Sequence, residues 1–214
     1  MGFDNSNLHD RVYFHLRDQI IYNEIKPGSR IDYHQITEDL GVSRTPIRDA
    51  LNRLQQDGLI EVKPRSGTYV RIPQVKDIAE IYDLRKALER QAVELAASYI
   101  SKEDLTSLLN EADYAEEAIQ RGDVAPFFQA DRNLHRSVIH HSCNQRMIAI
   151  MDTLEIQIHW YGIIMTKNFD RPLQANNMHR RIVQALYDSR IKEAQILMEE
   201  HIEEIKQSVI SDYS

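Results

Sequence analysis

The segment between Gly41 and Gly58 constrains the fold more than any other part of the chain. Ser43 suits a helix N-cap, and Pro46 falls in the first turn that follows, where a missing N–H does no harm. Apolar residues then recur at the i, i+3, i+4 and i+7 spacing of one helix face, namely Ile47, Ala50, Leu51 and Leu54. Arginine and short polar residues occupy the other side. The pattern predicts an amphipathic helix that buries one face and exposes a basic one.

Two helices are predicted before this segment and a hairpin after it. An apolar residue at every fourth position predicts a helix over about 7–25, which Lys26-Pro27-Gly28 would stop, and a shorter helix follows at about 33–40. Two short runs at 59–62 and 68–72 flank a Lys-Pro-Arg-Ser-Gly turn and predict a hairpin. This order of elements predicts a winged helix-turn-helix, whose third helix fits the major groove of double-stranded DNA.

The distribution of charge agrees with a small nucleic-acid-binding module. The net charge of −7 by itself argues against nucleic acid as a partner. Residues 1–73, however, hold ten basic and ten acidic side chains, so the excess negative charge lies in the rest of the chain. Residues 41–71 contain six basic side chains and only three acidic ones. A locally basic module attached to a larger acidic one is the organisation that results.

Beyond Ile72-Pro73-Gln74 every periodic pattern is helical. Six helices joined by short connections are predicted at about 75–100, 101–122, 124–142, 145–167, 172–189 and 190–211. Such a set predicts an antiparallel all-α bundle, so the chain is expected to be mainly α. The expected domains are therefore 1–72 for the winged helix-turn-helix and 73–214 for the bundle.

Composition narrows the class of protein. Apolar residues make up 42% of the chain, which suffices for a core, while seven Gly and six Pro are few for a turn-rich β protein. The lone Cys143 cannot form an internal disulfide, which favours a reducing compartment. No stretch approaches the roughly 20 apolar residues of a membrane span. A cytoplasmic protein without a membrane partner is expected.

Polar residues are predicted on the inward faces of three bundle helices. Asp131 and His135 are four positions apart and share a face with apolar neighbours, while His179 and His201 each interrupt an apolar stripe. A buried carboxylate and three imidazoles are costly unless they satisfy one another or bind a cation. One divalent metal would satisfy all four and leave one or two positions for water or a ligand. The alternative for each histidine alone is a hydrogen-bonded core residue.

The N-terminal motifs resemble those of the GntR family of bacterial transcription regulators. The resemblance is carried by Lys26-Pro-Gly-Ser-Arg30, Leu40-Gly-Val-Ser-Arg-Thr-Pro-Ile-Arg-Asp-Ala-Leu51, Leu54-Gln-Gln-Asp-Gly-Leu-Ile60 and Arg65-Ser-Gly-Thr-Tyr-Val70. It implies that a palindromic operator is bound by a homodimer. The operator contacts it implies are Arg30, Ser43, Arg44, Thr45 and Arg48, with Arg65 and Gly67 at the tip of the wing.

The C-terminal motifs resemble the FCD effector domain of the FadR branch of that family, and six helices resemble its VanR-type subgroup. The motifs are Leu84-Arg-Lys-Ala-Leu-Glu89, Asp131-x-x-x-His135 followed by Asn144, His179 with Ile182 to Leu186, and Ala194 through His201. The resemblance implies that Asp131, His135, His179 and His201 bind the metal, with zinc expected first and nickel or manganese as alternatives. It also implies a small carboxylic-acid effector, with Arg85 pairing to its carboxylate. An exposed helix arginine is the alternative for Arg85.

The sequence therefore predicts a DNA-binding transcription regulator, a repressor in the commoner case, and not an enzyme. Two alternatives stay open. The four polar residues could form a catalytic site in which the metal activates water, although no convincing general base is in view. The second domain could instead be a dimerisation bundle with a structural metal or none.

Overall fold

A computed structural model describes residues 6–165 and 170–213 of the chain. The chain divides into two compact units. The first comprises Met1–Gln74 with Trp160–Ile164, and the second comprises Val75–His159 with Met165–Ser214. Among the described residues, no helix combines the length and the apolar character needed to cross a membrane.

The first unit begins with three helices and a hairpin. Its elements in chain order are α1 (Ser6–Ile21), α2 (Tyr33–Leu40), α3 (Arg44–Gln56), β1 (Ile60–Lys63) and β2 (Gly67–Val70). The two strands pair antiparallel, with Ile60 opposite Val70 and Lys63 opposite Gly67. Helix α3 packs against α1, α2 and β1. This arrangement confirms the predicted winged helix-turn-helix.

Helix α3 has the amphipathic character that its sequence predicts. Its buried residues are Ile47, Ala50, Leu51 and Leu54. The preceding helix α2 ends at Gly41, whose φ of 62° lies in the left-handed region that glycine adopts without a steric penalty. Ser43 occupies the N-cap position of α3 with extended backbone, but its side chain makes no capping hydrogen bond.

Helix α1 ends at Ile21, whereas the apolar spacing predicts an end near residue 25. Asn23 has a φ of 63°, which a right-handed helix cannot contain. The backbone N–H of Tyr22 donates to the carbonyl of Asp18 at 2.9 Å, and the chain turns after that bond. Ile25 continues the apolar spacing by sequence alone, from a position beyond the turn.

The remaining helices confirm the predicted bundle. They are α4 (Val75–Ala96), α5 (Lys102–Gln120), α6 (Ala125–His141), α7 (Gln145–Met165), α8 (Asp170–Tyr187) and α9 (Ile191–Tyr213). Ser101 and Asp104 form the predicted capping box at the start of α5. The last two residues of the helix predicted over 145–167 lie outside the described part of the chain.

Four of these helices, α4, α6, α8 and α9, pack around one part of the core. Helix α4 packs against α6 and α9, and α8 packs against α5, α6 and α9. Fully buried apolar residues of this core include Ile78, Val93, Val138, Ile182, Met198 and Ile202. The inward faces of α4, α6, α8 and α9 are therefore brought together in the second unit.

Candidate metal centre and nucleic-acid interface

The four polar residues predicted to point inward do meet inside the second unit. Asp131 and His135 come from α6, His179 from α8 and His201 from α9. One possible ligand atom from each side chain can be chosen so that all four lie within 4.8 Å of one another. The three histidines are 6%, 2% and 1% exposed, whereas the side chain of Asp131 is 24% exposed. The cluster is closed on the side of α8 and α9 and more open at Asp131.

The ligand atoms have the spacing that a small divalent cation requires. The Nε2 atom of His201 lies 3.2 Å from Nε2 of His135 and 3.0 Å from Nε2 of His179. The Oδ1 atom of Asp131 lies 3.6 Å from Nε2 of His135 and 3.3 Å from Nε2 of His179. A tetrahedron with metal–nitrogen bonds of about 2.05 Å has edges of about 3.3 Å. The four distances between these nitrogens and the carboxylate oxygen are close to the edges of such a tetrahedron.

The surroundings of three of the four residues favour the protonation states that suit a metal site. Burial lowers the pKa of His179, and burial together with the two neighbouring imidazoles lowers the pKa of His201 well below its usual value. Burial alone would raise the pKa of Asp131, but hydrogen bonds with His135 and His179 outweigh it and hold that pKa well below its usual range. Burial and Arg85 would lower the pKa of His135, but Glu89 and Asp131 outweigh them and raise it. Neutral imidazoles and an ionised carboxylate are the forms that bind metal, so His135 has to release any extra proton when a metal binds.

A buried ion pair on α4 extends this cluster, and sequence reasoning missed half of it. The Nε–H group of Arg85 donates to Oε1 of Glu89 at 2.6 Å, and Oε2 of Glu89 faces Nδ1 of His135. Arg85 is 3% exposed and Glu89 is 0% exposed, so the alternative of an exposed arginine does not hold. Burial would raise the pKa of Glu89, but His135 and Arg85 outweigh it and lower that pKa. Glu89 is therefore a carboxylate in the interior.

A pocket opens onto the exposed side of the cluster. Among the cluster residues, Asp131 and His135 line it. Cationic side chains line it from α4 and α6, namely Arg85, Arg132 and Arg136. Asp152, Glu155 and His159 contribute polar groups from α7. A small anion in this pocket would contact arginine side chains and the open side of the cluster of Asp131 and the three histidines.

The residues predicted to contact DNA from α3 are exposed on its N-terminal turns. Ser43, Arg44, Thr45 and Arg48 are all exposed, and the side chain of Arg48 is 69% exposed. Arg53, farther along the same helix, is held within the unit by Asp10 at 3.0 Å and by the ring of Tyr13. The first turns of α3 therefore present cations whose positions suit an external partner.

The hairpin turn presents a second basic group. The N–H of Ser66 donates to the carbonyl of Lys63 at 3.0 Å, with Pro64 and Arg65 between them. Arg65 has a φ of 62°, as the third residue of a type II turn requires. Arg30 lies beside the base of this turn, because a Cβ placed on Gly67 would come within 3.0 Å of its Nε atom. Glycine at 67 thus makes room for the exposed guanidinium of Arg30.

Replacing Arg65 with glycine is expected to separate DNA binding from stability. Left-handed backbone costs a residue with a side chain roughly 1–2 kcal/mol, while glycine loses about 0.5–1 kcal/mol more entropy on folding. The free energy of unfolding should therefore change by no more than about 1.5 kcal/mol. Loss of a charge-assisted hydrogen bond should weaken DNA binding by about tenfold or more. Fluorescence anisotropy and thermal denaturation measure the two effects.

Ser189→Gly provides the matched control, because Ser189 is exposed and has a φ of 60° in the second unit. This control relieves the same kind of backbone strain without removing a cation. If the Arg65→Gly variant bound DNA with the same affinity as the parent protein, Arg65 would not be part of the DNA interface.

Comparisons with known proteins agree with both halves of this description. Residues 8–70 match the bacterial regulatory proteins of the gntR family, and residues 80–204 match the FCD domain. The chain is 31% identical over 173 residues to an uncharacterized HTH-type transcriptional regulator of Bacillus subtilis (strain 168), YdhC, covering 80% of this chain and 77% of that protein. It is 25% identical to the HTH-type transcriptional repressor RspR of Escherichia coli (strain K12), covering 94% and 89%.

The fold is also similar to solved structures. The structure of E. coli McbR/YncC matches with a TM-score of 0.81 at 22% identity, covering 97% of this chain and 99% of that one. The matched families and the relatives' names describe regulators of transcription. They confirm the prediction of a regulator and not an enzyme.

Proposed function

Because this chain belongs to the GntR family of bacterial regulatory proteins and carries an FCD domain, we propose that it is a homodimeric, cytoplasmic repressor controlled by a metal-dependent effector site. Residues 1–72 form the DNA-binding domain and recognise a palindromic operator. Residues 73–214 form the effector and dimerisation domain. The operator contacts are Arg30, Ser43, Arg44, Thr45, Arg48, Arg65 and Gly67.

The convergence of three buried Nε2 atoms and one carboxylate oxygen supports the metal site. Nε2 of His201 lies within 3.2 Å of two other imidazole nitrogens, and a single N–H at that atom can serve only one of them well. One cation satisfies the lone pairs of all three rings. The ligands are Asp131, His135, His179 and His201, and zinc is the metal that their spacing fits, with nickel and manganese as alternatives.

The pocket beside these residues supports a small carboxylic acid as the effector. A bound divalent metal supplies a Lewis-acidic position for a carboxylate oxygen. Arg132 and Arg136 lie one helical turn apart on α6 and both line the pocket, so they can pair with a second oxygen or a second acid group. Arg85 lines the same pocket. We include it among the effector contacts because hydrogen bonding through Nε to Glu89 does not use its terminal nitrogens.

Regulation requires that the effector bind two arrangements of the dimer with different affinity. An effector that favours the arrangement whose α3 helices do not match the two operator half-sites would release the DNA. The relative RspR is named a transcriptional repressor, which favours repression as the action of this chain on its operator.

A mobility-shift assay tests this proposal. The zinc-loaded protein is titrated onto the DNA upstream of its own coding region, and then acetate, lactate, pyruvate, glutarate and citrate are added in turn. We expect a shift without acid and a loss of affinity of about 5–150-fold with at least one acid, the range of typical allosteric coupling. Absence of any shift at low salt would refute the DNA-binding role. A shift that none of a broader series of carboxylates changes would refute the acid effector.

A further inference from the structure

A continuous line of buried polar contacts joins α4 to the cluster of Asp131 and the three histidines. Arg85 donates through Nε to Oε1 of Glu89, and the other carboxylate oxygen of Glu89 faces Nδ1 of His135. Nε2 of the same imidazole belongs to the cluster, 3.2 Å from Nε2 of His201. Glu89 is 0% exposed. This carboxylate therefore has two partners, and one of them is a proposed metal ligand.

The contact with Glu89 decides which nitrogen of His135 carries the hydrogen. An ionised carboxylate can only accept hydrogen bonds, so the imidazole nitrogen that faces it must be the donor. A neutral ring with its hydrogen on Nδ1 has its lone pair on Nε2. The lone pair then points to the cluster, as a metal ligand requires.

Among the described residues, His135 is the one cluster histidine whose second ring nitrogen faces a carboxylate. The hydrogen-bond and ion-pair contacts of His179 and His201 run through Nε2. His135 is thus the ligand whose ring orientation and tautomer are fixed before any metal binds, and Glu89 is the group that fixes them.

We propose that Glu89 is a positioning residue of the metal site and that Arg85 keeps its carboxylate oriented in the interior. The proposal rests on the proposed metal function and adds two residues to it. Arg85 holds Oε1 through Nε, which leaves Oε2 for His135. Arg85 consequently influences metal affinity from the wall of the effector pocket, since it lines that pocket as well.

The proposal makes a specific prediction for Glu89→Gln. Glutamine has one oxygen and one NH₂ group, and the Arg85 donor attracts the oxygen. The NH₂ group then faces Nδ1 of His135 and favours the tautomer with its hydrogen on Nε2, which is wrong for metal binding. We expect zinc affinity, measured by competition with a chromophoric chelator, to fall by about 10–100-fold. Glu94→Gln is the control, because Glu94 is an exposed residue of the same helix. The zinc affinity of this variant should stay within about threefold of that of the parent protein.

A double substitution distinguishes positioning from a general structural role. In Arg85→Met/Glu89→Gln no cation competes for the glutamine oxygen, which can turn to His135 and accept its hydrogen. We expect this variant to bind zinc more tightly than Glu89→Gln, by about fivefold or more. A purely structural role predicts that the double variant is equal to the single one or worse. Either that result, or a folded Glu89→Gln variant with unchanged zinc affinity, would overturn the proposal.

Two further measurements keep the test decisive. If Glu89→Gln does not fold, Arg85→Met/Glu89→Gln is compared with Arg85→Met/Glu89→Leu. The variant with the glutamine acceptor is expected to bind zinc about tenfold more tightly. Equal zinc affinities would contradict the positioning role of residue 89. Nitrogen-15 NMR of the metal-free protein at alkaline pH should show the hydrogen of His135 on Nδ1, and a hydrogen on Nε2 would contradict the proposal. If the parent protein binds no zinc, the metal function fails, while the NMR result still reports on Glu89.

Discussion

Replacing both Arg44 and Arg48 with alanine is expected to abolish the shift of an operator fragment without unfolding the protein. An arginine that reads a base edge contributes roughly 1–3 kcal/mol, so the loss of two corresponds to about 30-fold to 10⁴-fold in affinity. Both side chains are exposed on the first turns of α3, where substitutions usually change stability by less than about 0.5 kcal/mol. Anisotropy titrations at one fixed salt concentration measure the affinity, because phosphate contacts depend strongly on salt.

The matched control is Arg121→Ala, which removes an exposed arginine of the second unit that pairs with Glu117. Its DNA affinity should equal that of the parent protein. If the double variant also bound operator DNA with parental affinity, the assignment of α3 to the major groove would be wrong. Thermal denaturation of both variants checks that any loss of binding does not come from unfolding.

Replacing His179 with alanine is expected to reduce bound zinc well below one ion per chain. Structural zinc sites bind with about 10–16 kcal/mol, so removal of one ligand in four costs roughly 3 kcal/mol or more, which is at least about 10²-fold in affinity. Zinc at 100 to 1,000 times its dissociation constant stabilises a protein by about 2.7–4.1 kcal/mol. At roughly 2–4 °C per kcal/mol, the parent protein should gain about 5–16 °C in Tm, and the variant should lose most of this gain.

Elemental analysis and thermal denaturation with and without zinc provide the two measurements. His141→Ala is the control, because His141 lies on α6, as Asp131 and His135 do, but contacts Ser137 and Asp104 instead. It should retain the metal and the rise in Tm. Unchanged zinc stoichiometry in His179→Ala would exclude His179 as a ligand.

The elements that the sequence predicts best are those in which apolar periodicity and local signals agree. Helix α3 is such a case, since its cap position, first-turn proline and apolar stripe all indicate the same helix. Asp131, His135, His179 and His201 could also be predicted from the sequence to point inward, because each residue interrupts an otherwise apolar face. Spacing cannot show that side chains from three helices meet at one point, which is a property of the packing.

The orientation of α4 could not be predicted from its apolar residues. The spacing of Ile78, Ile81, Leu84 and Leu88 suggests one buried stripe, yet Leu84 is 41% exposed. The buried face runs instead through Arg85 and Glu89, along with apolar residues such as Ile78, Tyr82 and Val93. A helix that buries an ion pair is an exception to the rule that charged residues face solvent. Apolar periodicity therefore predicts the wrong buried face for α4. The four-residue spacing of opposite charges is the only local signal, and exposed pairs share it.

The absence of a capping bond from the Ser43 side chain has a consequence for how α3 meets its partner. The first N–H groups of a helix have no acceptors inside the helix, and here the backbone amides of Arg44 and Thr45 are in that position. A backbone phosphate of the duplex carries the negative charge and the acceptor oxygens that such amides favour. Bound operator DNA would then supply the hydrogen-bond acceptors that the first turn of α3 lacks within the protein.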